Sequence, residues 1–240
     1  MKKLLAVYLL VLLSLGGCKK NTPHETVFVL DISASIDPGS KHQMFAAISD
    51  FATKLHRGDR LIVVPITGDA DSDLSGRILD YTVPSDTDRE AYDEDIVRLN
   101  TRMRDDLNRL EEGAAQHPSK HSDIIGSIRV ALGKFSNRAS GKELVVLSDF
   151  IQDDSQSNFL NDPSLRNRSR QGDCNSEKAI QHSYGPEMHI ILGRLKSIQF
   201  SSMALGRQQA IDCYWHQHLW PAEINPDGLA GLNEVAHSDQ

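Results

Sequence analysis

The 240-residue sequence is short of positive charge: 26 lysine and arginine residues face 33 aspartate and glutamate residues, which gives a formal net charge of −7. Because phosphate backbones are bound by basic surfaces, this balance argues against a nucleic-acid partner. Glycine and proline, at 16 and 9 residues, are too few for a collagen-like or a disordered Pro/Gly-rich chain. The length suits one substantial domain or two small ones.

The apolar run at the N-terminus is too short to cross a bilayer, which takes about 20 apolar residues. This run, residues 4–13, follows Lys2 and Lys3 and is followed by the small residues Gly16 and Gly17. A charged head, a short apolar body and a small-residue exit are typical of a secretory signal peptide. We therefore expect residues 1–17 to be removed.

The signal segment ends in LGGC, which resembles the lipobox of bacterial lipoproteins. The resemblance implies that Cys18 becomes the first residue of the mature chain, carries acyl groups and anchors the protein to a membrane without spanning it. Residues 18–24 then form a tether. Lys19 stands where inner-membrane lipoproteins of Gram-negative bacteria typically have Asp, so the outer membrane is favoured. The alternative is an ordinary signal peptide cut near Gly17.

Cysteine is scarce, and only Cys174 and Cys213 remain besides Cys18. In a chain that leaves the reducing cytosol, an even pair favours a disulfide. Two separately buried thiols are the alternative, and no C-x-x-C motif indicates a redox or zinc site.

Short apolar segments alternate with helical patterns along the rest of the chain, which predicts an α/β domain with a mostly parallel sheet. We expect this domain at residues 25–221 and a tail at residues 222–240. Strands are predicted at residues 26–30, 61–66, 77–83, 142–147 and 188–192, and helices at residues 40–58, 88–115, 122–135 and 203–219. Ser40 and Ser122 are predicted to cap helices, and the apolar spacing of the long helix favours packing on the domain's own sheet over a coiled-coil partner.

Three oxygen-bearing side chains directly follow the first apolar strand: Asp31, Ser33 and Ser35, in the pattern D-x-S-x-S. Ligand sites of open α/β sheets lie at the carboxyl ends of the strands. A carboxylate and two hydroxyls are hard ligands that suit a small cation such as Mg²⁺.

With this motif in place, the chain resembles the von Willebrand factor A family, whose metal-ion-dependent adhesion site combines D-x-S-x-S, a later Thr at a helix start and an Asp after a buried strand. Here DISAS follows TVFVL, the helix start is SDIIGSIRVAL, and the Asp-bearing loop is VVLSDF. The match covers residues 27–219. It implies a Rossmann-like sheet flanked by helices on both faces.

The resemblance also implies roles for five residues. Ser33 and Ser35 would bind Mg²⁺, or Mn²⁺ or Ca²⁺, through their hydroxyls, while Asp31 and Asp149 would hold coordinated waters. Ser122 would take the place of the family's Thr. In that family an acidic side chain of a partner protein completes the metal's coordination, so the resemblance implies a protein-binding module and not an enzyme.

The sequence departs from the family pattern at two of its positions. Ser122 lacks the methyl group of the family's Thr, and Phe150 stands where the family often has Gly, which could reshape the rim of the site. Two other functions remain open: a metal-dependent hydrolase of the cell envelope, although no G-x-S-x-G elbow is present, and a metal-free scaffold of the same fold.

Three further features carry weaker signals. An EF-hand-like spacing of aspartates lacks the required Gly and Glu, so a solvated loop is expected there. Two histidines two positions apart on a helix diverge too far to share a metal. The long polar loop after the fourth strand is expected to shape the partner surface. The aspartates are Asp69, Asp71, Asp73 and Asp80, the histidines are His216 and His218, and the loop covers residues 149–179.

Overall fold

The structure is a computed structural model. It describes residues 23–68, 70, 77–85, 88–136 and 141–153 with their side chains, and residues 188–194 and 223–225 by their backbone. No helix within these ranges is both long and apolar enough to cross a membrane. The predicted helix at residues 203–219, His216, His218, Cys18, Cys174 and Cys213 lie outside the described residues.

Strands and helices alternate along the described part of the chain. In order they are β1 (His24–Asp31), α1 (Pro38–Ala52), β2 (Arg60–Ile66), β3 (Leu79–Thr82), α2 (Arg89–Gln116), α3 (Ile124–Leu132), β4 (Gly141–Ser148), β5 (Met188–Arg194) and β6 (Glu223–Asn225).

These strands form one sheet in the order β3-β2-β1-β4-β5-β6. β1 pairs in parallel with β2 on one side and β4 on the other, and β5 and β6 continue the parallel set. β3 pairs antiparallel with β2 at one edge of the described sheet. The predicted α/β fold class with a mostly parallel sheet is therefore confirmed.

Helices cover both faces of the central strands, because successive residues of a strand point to opposite faces. Phe28 and Leu30 of β1 pack in the core cluster formed with α1 and α2, whereas Val27 and Val29 pack in the cluster formed with α3. Burial on both sides explains why these strands are apolar throughout. It also leaves their ends as the places where polar side chains cluster.

The long helix α2 packs on its own domain, as its apolar spacing predicts. Its buried residues Met103, Leu107 and Ala114 belong to the same core cluster as the residues of α1. The helix is capped by Asp88, whose side chain accepts a hydrogen bond from the Ala91 amide.

The prediction that Ser40 caps α1 and Gly58 ends it is wrong at both ends. Asp37 is the N-cap, and its Oδ1 accepts a 3.0 Å hydrogen bond from the Ser40 amide. Pro38 occupies the first turn, where its missing amide proton costs nothing. The helix ends at Ala52, and Gly58 lies in the following turn with a φ of 87°.

The start of α3 also differs from the prediction. Asp123, not Ser122, is its N-cap, and Asp123 Oδ1 accepts a 2.9 Å hydrogen bond from the Gly126 amide. The helix ends at Leu132, so the predicted helical residue Phe135 follows it. Ser122 therefore lies two residues before the first residue of the helix and directly before its N-cap.

Candidate functional site

Polar side chains gather where the two central strands end. Asp31 is the last residue of β1, and Ser148 is the last residue of the neighbouring strand β4. Asp149 follows directly. The side chains of Asp31 and Ser148 are fully buried, and Asp149 is 2% exposed. Because the strands are parallel and in register, their carboxyl ends meet at one edge of the sheet.

The Asp31 carboxylate is held by hydrogen bonds from Ser148 and from both the side chain and the backbone amide of Ser33. The backbone amide of Ser33 donates to Oδ1 over 2.9 Å, and the Ser148 hydroxyl donates to Oδ2 over 2.6 Å. The first bond closes the turn that follows β1, while the second joins the ends of β1 and β4. These bonds fix the orientation of the carboxylate.

A chain of hydroxyl contacts links the turn after β1 to the loop after β4. Ser33 Oγ and Ser35 Oγ are 2.8 Å apart, and the Ser35 side chain hydrogen bonds the Asp149 carboxylate. Asp149 Oδ1 also accepts a 2.9 Å bond from the Ile151 amide. The structure thus brings four of the five predicted site residues into one hydrogen-bonded group.

Ser122, the fifth residue, joins this edge through the backbone. Its amide donates to the Asp153 carbonyl over 2.8 Å, and the Asp153 amide donates back over 3.0 Å. The segment just before it, at Ser119, accepts a 2.7 Å hydrogen bond from the Ala34 amide. The segment that carries Ser122 therefore touches both of the loops that carry the other four residues.

Burial governs the electrostatics of the two carboxylates. Loss of solvation raises the pKa of Asp31, although its hydrogen bonds to Ser148 and Ser33 act in the opposite direction. The pKa of Asp149 rises to about 7, first because the group is buried and second because the Asp31 charge is close by. Two buried, mutually repelling carboxylates are an arrangement that a cation would relieve.

One cation of the chain itself lies near Asp31. Lys41 of α1 is buried, and the charges of Asp31 and Asp37 favour its protonated form. Burial acts more strongly in the opposite direction and lowers the pKa of Lys41. Lys41 therefore balances only part of the negative charge of the site.

Phe150 adopts a backbone conformation that favours glycine. Its φ is 60°, and its side chain is buried in the core cluster beneath α3. Its amide donates a 3.0 Å hydrogen bond to Ser148 Oγ. The family pattern often has Gly at this position, and here the apolar anchor offsets the cost of left-handed backbone in a residue with a Cβ.

Sequence reasoning missed three residues that shape this edge: Ser148, Lys41 and Gln152. Ser148 could have been found as the one polar residue that ends an apolar strand beside Asp149. Lys41 is buried by tertiary packing, and Gln152 is fully buried by its contacts with α3. No sequence signal marks these last two.

A metal site at this edge of the sheet would need serine hydroxyls among its ligands. In the portion of the chain that the structure describes, no group of three His, Cys, Asp or Glu side chains is placed to hold a metal ion. The donors at the sheet edge are instead the hydroxyls of Ser33 and Ser35 beside the carboxylates of Asp31 and Asp149, with Ser122 on the adjoining segment. Oxygen donors of this kind suit Mg²⁺, Mn²⁺ or Ca²⁺.

The weaker candidates from the sequence fall mostly outside the described residues. Asp69, Asp71 and Asp73 do so, whereas Asp80 is described and pairs with Arg60 at 2.6 Å. Of the long loop at residues 149–179, only residues 149–153 are described.

Comparison with known proteins finds similarity to solved structures only. No protein-family model matches the chain, and none of the curated proteins matches its sequence. Among solved structures, von Willebrand factor type A from Catenulispora acidiphila is similar, with 16% identity and a TM-score of 0.45. The match covers 90% of this chain and 41% of that chain, so this chain spans less than half of that protein's length. The likeness concerns the fold alone, and the fold class rests on the sheet described above.

Proposed function

We propose that this chain is a lipid-anchored protein of the bacterial cell envelope whose A-type domain binds a protein partner through a divalent metal ion. The proposal places the ion at the sheet edge formed by Asp31, Ser33, Ser35, Ser122 and Asp149. It assigns the domain a role in binding and no catalytic activity.

One observation carries the proposal: Asp31 and Asp149 are buried side by side, and their charges repel strongly enough to contribute to the raised pKa of Asp149. Proteins seldom bury two carboxylates together without a compensating partner. Lys41 supplies one positive charge. A divalent cation would balance the remaining negative charge, because it would attract both carboxylates.

The donors present fit such an ion. Ser33 and Ser35 already lie in contact with each other and with the two carboxylates. In the proposed site these hydroxyls bind the ion directly, and Asp31 and Asp149 hold its waters. When bound, the ion would act as a Lewis-acidic contact for a carboxylate of the partner protein.

The surroundings of the edge support a role in contact with another protein. Ala34 and Ser35 are exposed beside the buried Asp31, and His121 is exposed beside the buried Ser122. Contact residues of this site therefore reach the surface, while the charged groups beneath them are shielded from water.

The proposed location rests on the sequence. Lipidation at Cys18 would hold the domain at a membrane through the short tether at residues 18–24, and Lys19 favours the outer membrane in a Gram-negative source. The partner would then lie in the envelope or at the cell surface.

A cross-linking experiment, together with an assay for substrate turnover, separates the proposed binding function from an enzyme and from a metal-free scaffold. The full chain and its Asp149→Ala and Asp50→Asn variants are expressed in their native envelope and cross-linked with Mg²⁺ or with EDTA. Asp50 is an exposed residue of α1, paired with Lys54, and serves as the matched loss of a carboxylate.

The proposal predicts a cross-linked protein partner that is lost with EDTA and in Asp149→Ala but kept in Asp50→Asn. A partner retained under all conditions would indicate the scaffold. Substrate turnover by the chain that disappears in Asp149→Ala would indicate the hydrolase.

A further inference from the structure

Gln152 makes an unusual set of contacts for a residue in a loop. It is fully buried, and its Oε1 accepts hydrogen bonds from the amides of Ile124 and Ile125, at 2.8 and 3.1 Å. Its Nε2 donates to Asp123 Oδ1 over 3.1 Å. One side chain from the loop after β4 thus holds the N-terminal turn of α3 and the residue that caps it.

The position of these contacts matters because each partner lies beside a site residue. Gln152 comes three residues after Asp149, and Asp123 directly follows Ser122. The two segments are also tied by the paired backbone bonds of Ser122 and Asp153 and by a 3.1 Å contact between His121 Nδ1 and Asp153 Oδ2. Gln152 therefore lies at the contact between the Ser122 segment and the Asp149 loop, which we call the joint.

We propose that Gln152 is a positioning residue that fixes the Ser122 segment against the Asp149 loop. Its effect on metal binding rests on the function proposed above, whereas its effect on the joint does not. The buried amide needs both its acceptor and its donor: the oxygen satisfies two amide protons at the helix start, and the nitrogen orients the capping carboxylate. Residues that hydrogen bond a metal ligand typically change metal affinity by about 10- to 100-fold when removed, and Gln152 acts on Ser122 through the adjacent Asp123.

Two substitutions remove different sets of the hydrogen bonds of Gln152. Gln152→Met keeps the length of the side chain and removes all three hydrogen bonds. Gln152→Glu keeps an oxygen acceptor for Ile124 and Ile125, but it replaces the donor to Asp123 with a carboxylate oxygen that the Asp123 carboxylate repels. The control is Ser127→Ala on α3, because the buried Ser127 hydroxyl has no hydrogen-bond partner in the described structure.

The first measurement needs no metal. Amide hydrogen exchange in the full-length protein, purified in detergent, is followed at Ser122 and Asp153, which Gln152 does not contact through their amides. In Gln152→Met and Gln152→Glu these two amides should exchange at least about tenfold faster, since the contact between the two segments opens locally, while Ser127→Ala stays within about threefold of the parent. Faster exchange at Ile124 and Ile125 alone would overturn the proposal and leave Gln152 as a helix cap.

The second measurement is the dissociation constant for Mg²⁺ by calorimetry in the same four proteins. We expect Gln152→Met and Gln152→Glu to weaken Mg²⁺ binding by about tenfold or more, with Ser127→Ala unchanged. Equal affinity in the parent and Gln152→Met would overturn the proposal.

The outcomes keep the two proposals apart. If none of the proteins binds Mg²⁺, the proposed function fails, and hydrogen exchange at Ser122 and Asp153 decides the role of Gln152 alone. Thermal melts establish that each variant is folded. If Gln152→Met does not fold, Gln152→Asn, whose amide is one methylene shorter and cannot reach all three partners, is measured against the same criteria.

Discussion

The Ser148 hydroxyl donates a 2.6 Å hydrogen bond to Asp31 Oδ2, so the last residue of β4 holds the carboxylate that ends β1. Both side chains are fully buried. The same hydroxyl accepts a bond from the Phe150 amide. One small side chain thereby connects the two central strands and the loop that carries Asp149.

Replacing Ser148 with Ala should lower the free energy of unfolding by about 1–3 kcal/mol, because a buried carboxylate and a buried amide each lose a partner. Ser127→Ala removes the same hydroxyl from a buried position where the described structure gives it no partner, and it should be close to neutral. Urea unfolding of both variants checks the difference. Equal destabilisation would show that the Ser148 bonds contribute nothing beyond packing.

The raised pKa of Asp149 predicts a pH dependence of stability in the metal-free protein. The folded state keeps the proton up to about pH 7, whereas the unfolded group releases it near its ordinary pKa of 3.8. A raised carboxyl pKa means that the folded state binds the proton more tightly, so its contribution to stability is present below the unfolded pKa and is lost as pH rises toward 7.

Asp149→Asn should remove this contribution and reduce the slope of the stability profile between about pH 4 and pH 7, while the raised pKa of the buried Asp31 leaves a smaller slope in the same direction. The measurement is the free energy of unfolding across that range in EDTA, with Asp50→Asn as the control for a lost exposed carboxylate. A parent and an Asp149→Asn variant with parallel profiles would contradict the assignment of the raised pKa to Asp149.

The positive φ of Phe150 predicts an inverted preference between Ala and Gly. Both substitutions lose the buried ring, at a cost of about 3–5 kcal/mol. Ala also retains the strain of left-handed backbone, so Phe150→Gly should be more stable than Phe150→Ala by up to about 1 kcal/mol.

The matched control for Phe150 is Ile128 in α3, a fully buried residue in ordinary helical backbone. There Gly should be less stable than Ala by about 1 kcal/mol. Thermal or urea unfolding of the four variants gives both comparisons. The same order at both positions would argue against the left-handed conformation of Phe150.

Lipidation at Cys18 predicts where the chain is found in the cell. Cys18→Ala should abolish incorporation of labelled palmitate and move the protein out of the membrane fraction, because a single remaining tether of polar residues gives no anchor. Cys174→Ala is the control and should leave palmitate incorporation and membrane attachment unchanged. Membrane attachment without label in Cys18→Ala would contradict the lipobox interpretation.

The sheet could be predicted from the sequence because its central strands are buried on both faces. Continuous apolar runs such as TVFVL and LVVL mark β1 and β4, and the polar residues after them, Asp31 and Asp149, mark the edge where the strands end. Burial and strand ends are properties that the one-dimensional pattern retains.

The supporting residues could not be predicted in the same way. Lys41 and Gln152 carry polar side chains that the sequence alone would place at the surface, and only the packing of α1 and of the loop after β4 buries them. The helix starts were misplaced by a few residues because Ser40 and Asp37, or Ser122 and Asp123, are equally suitable caps by residue type. The choice between them depends on which carboxylate reaches the free amides.

The central claim is that the sheet edge at Asp31 and Asp149 binds a divalent cation. It is tested most directly by calorimetric titration of Mg²⁺ and Mn²⁺ into the full-length protein in detergent, beside the Asp31→Ala variant and the Asp50→Asn control. The account predicts saturable binding in the parent and in Asp50→Asn and none in Asp31→Ala. No binding in the parent, or equal binding in Asp31→Ala, would contradict it.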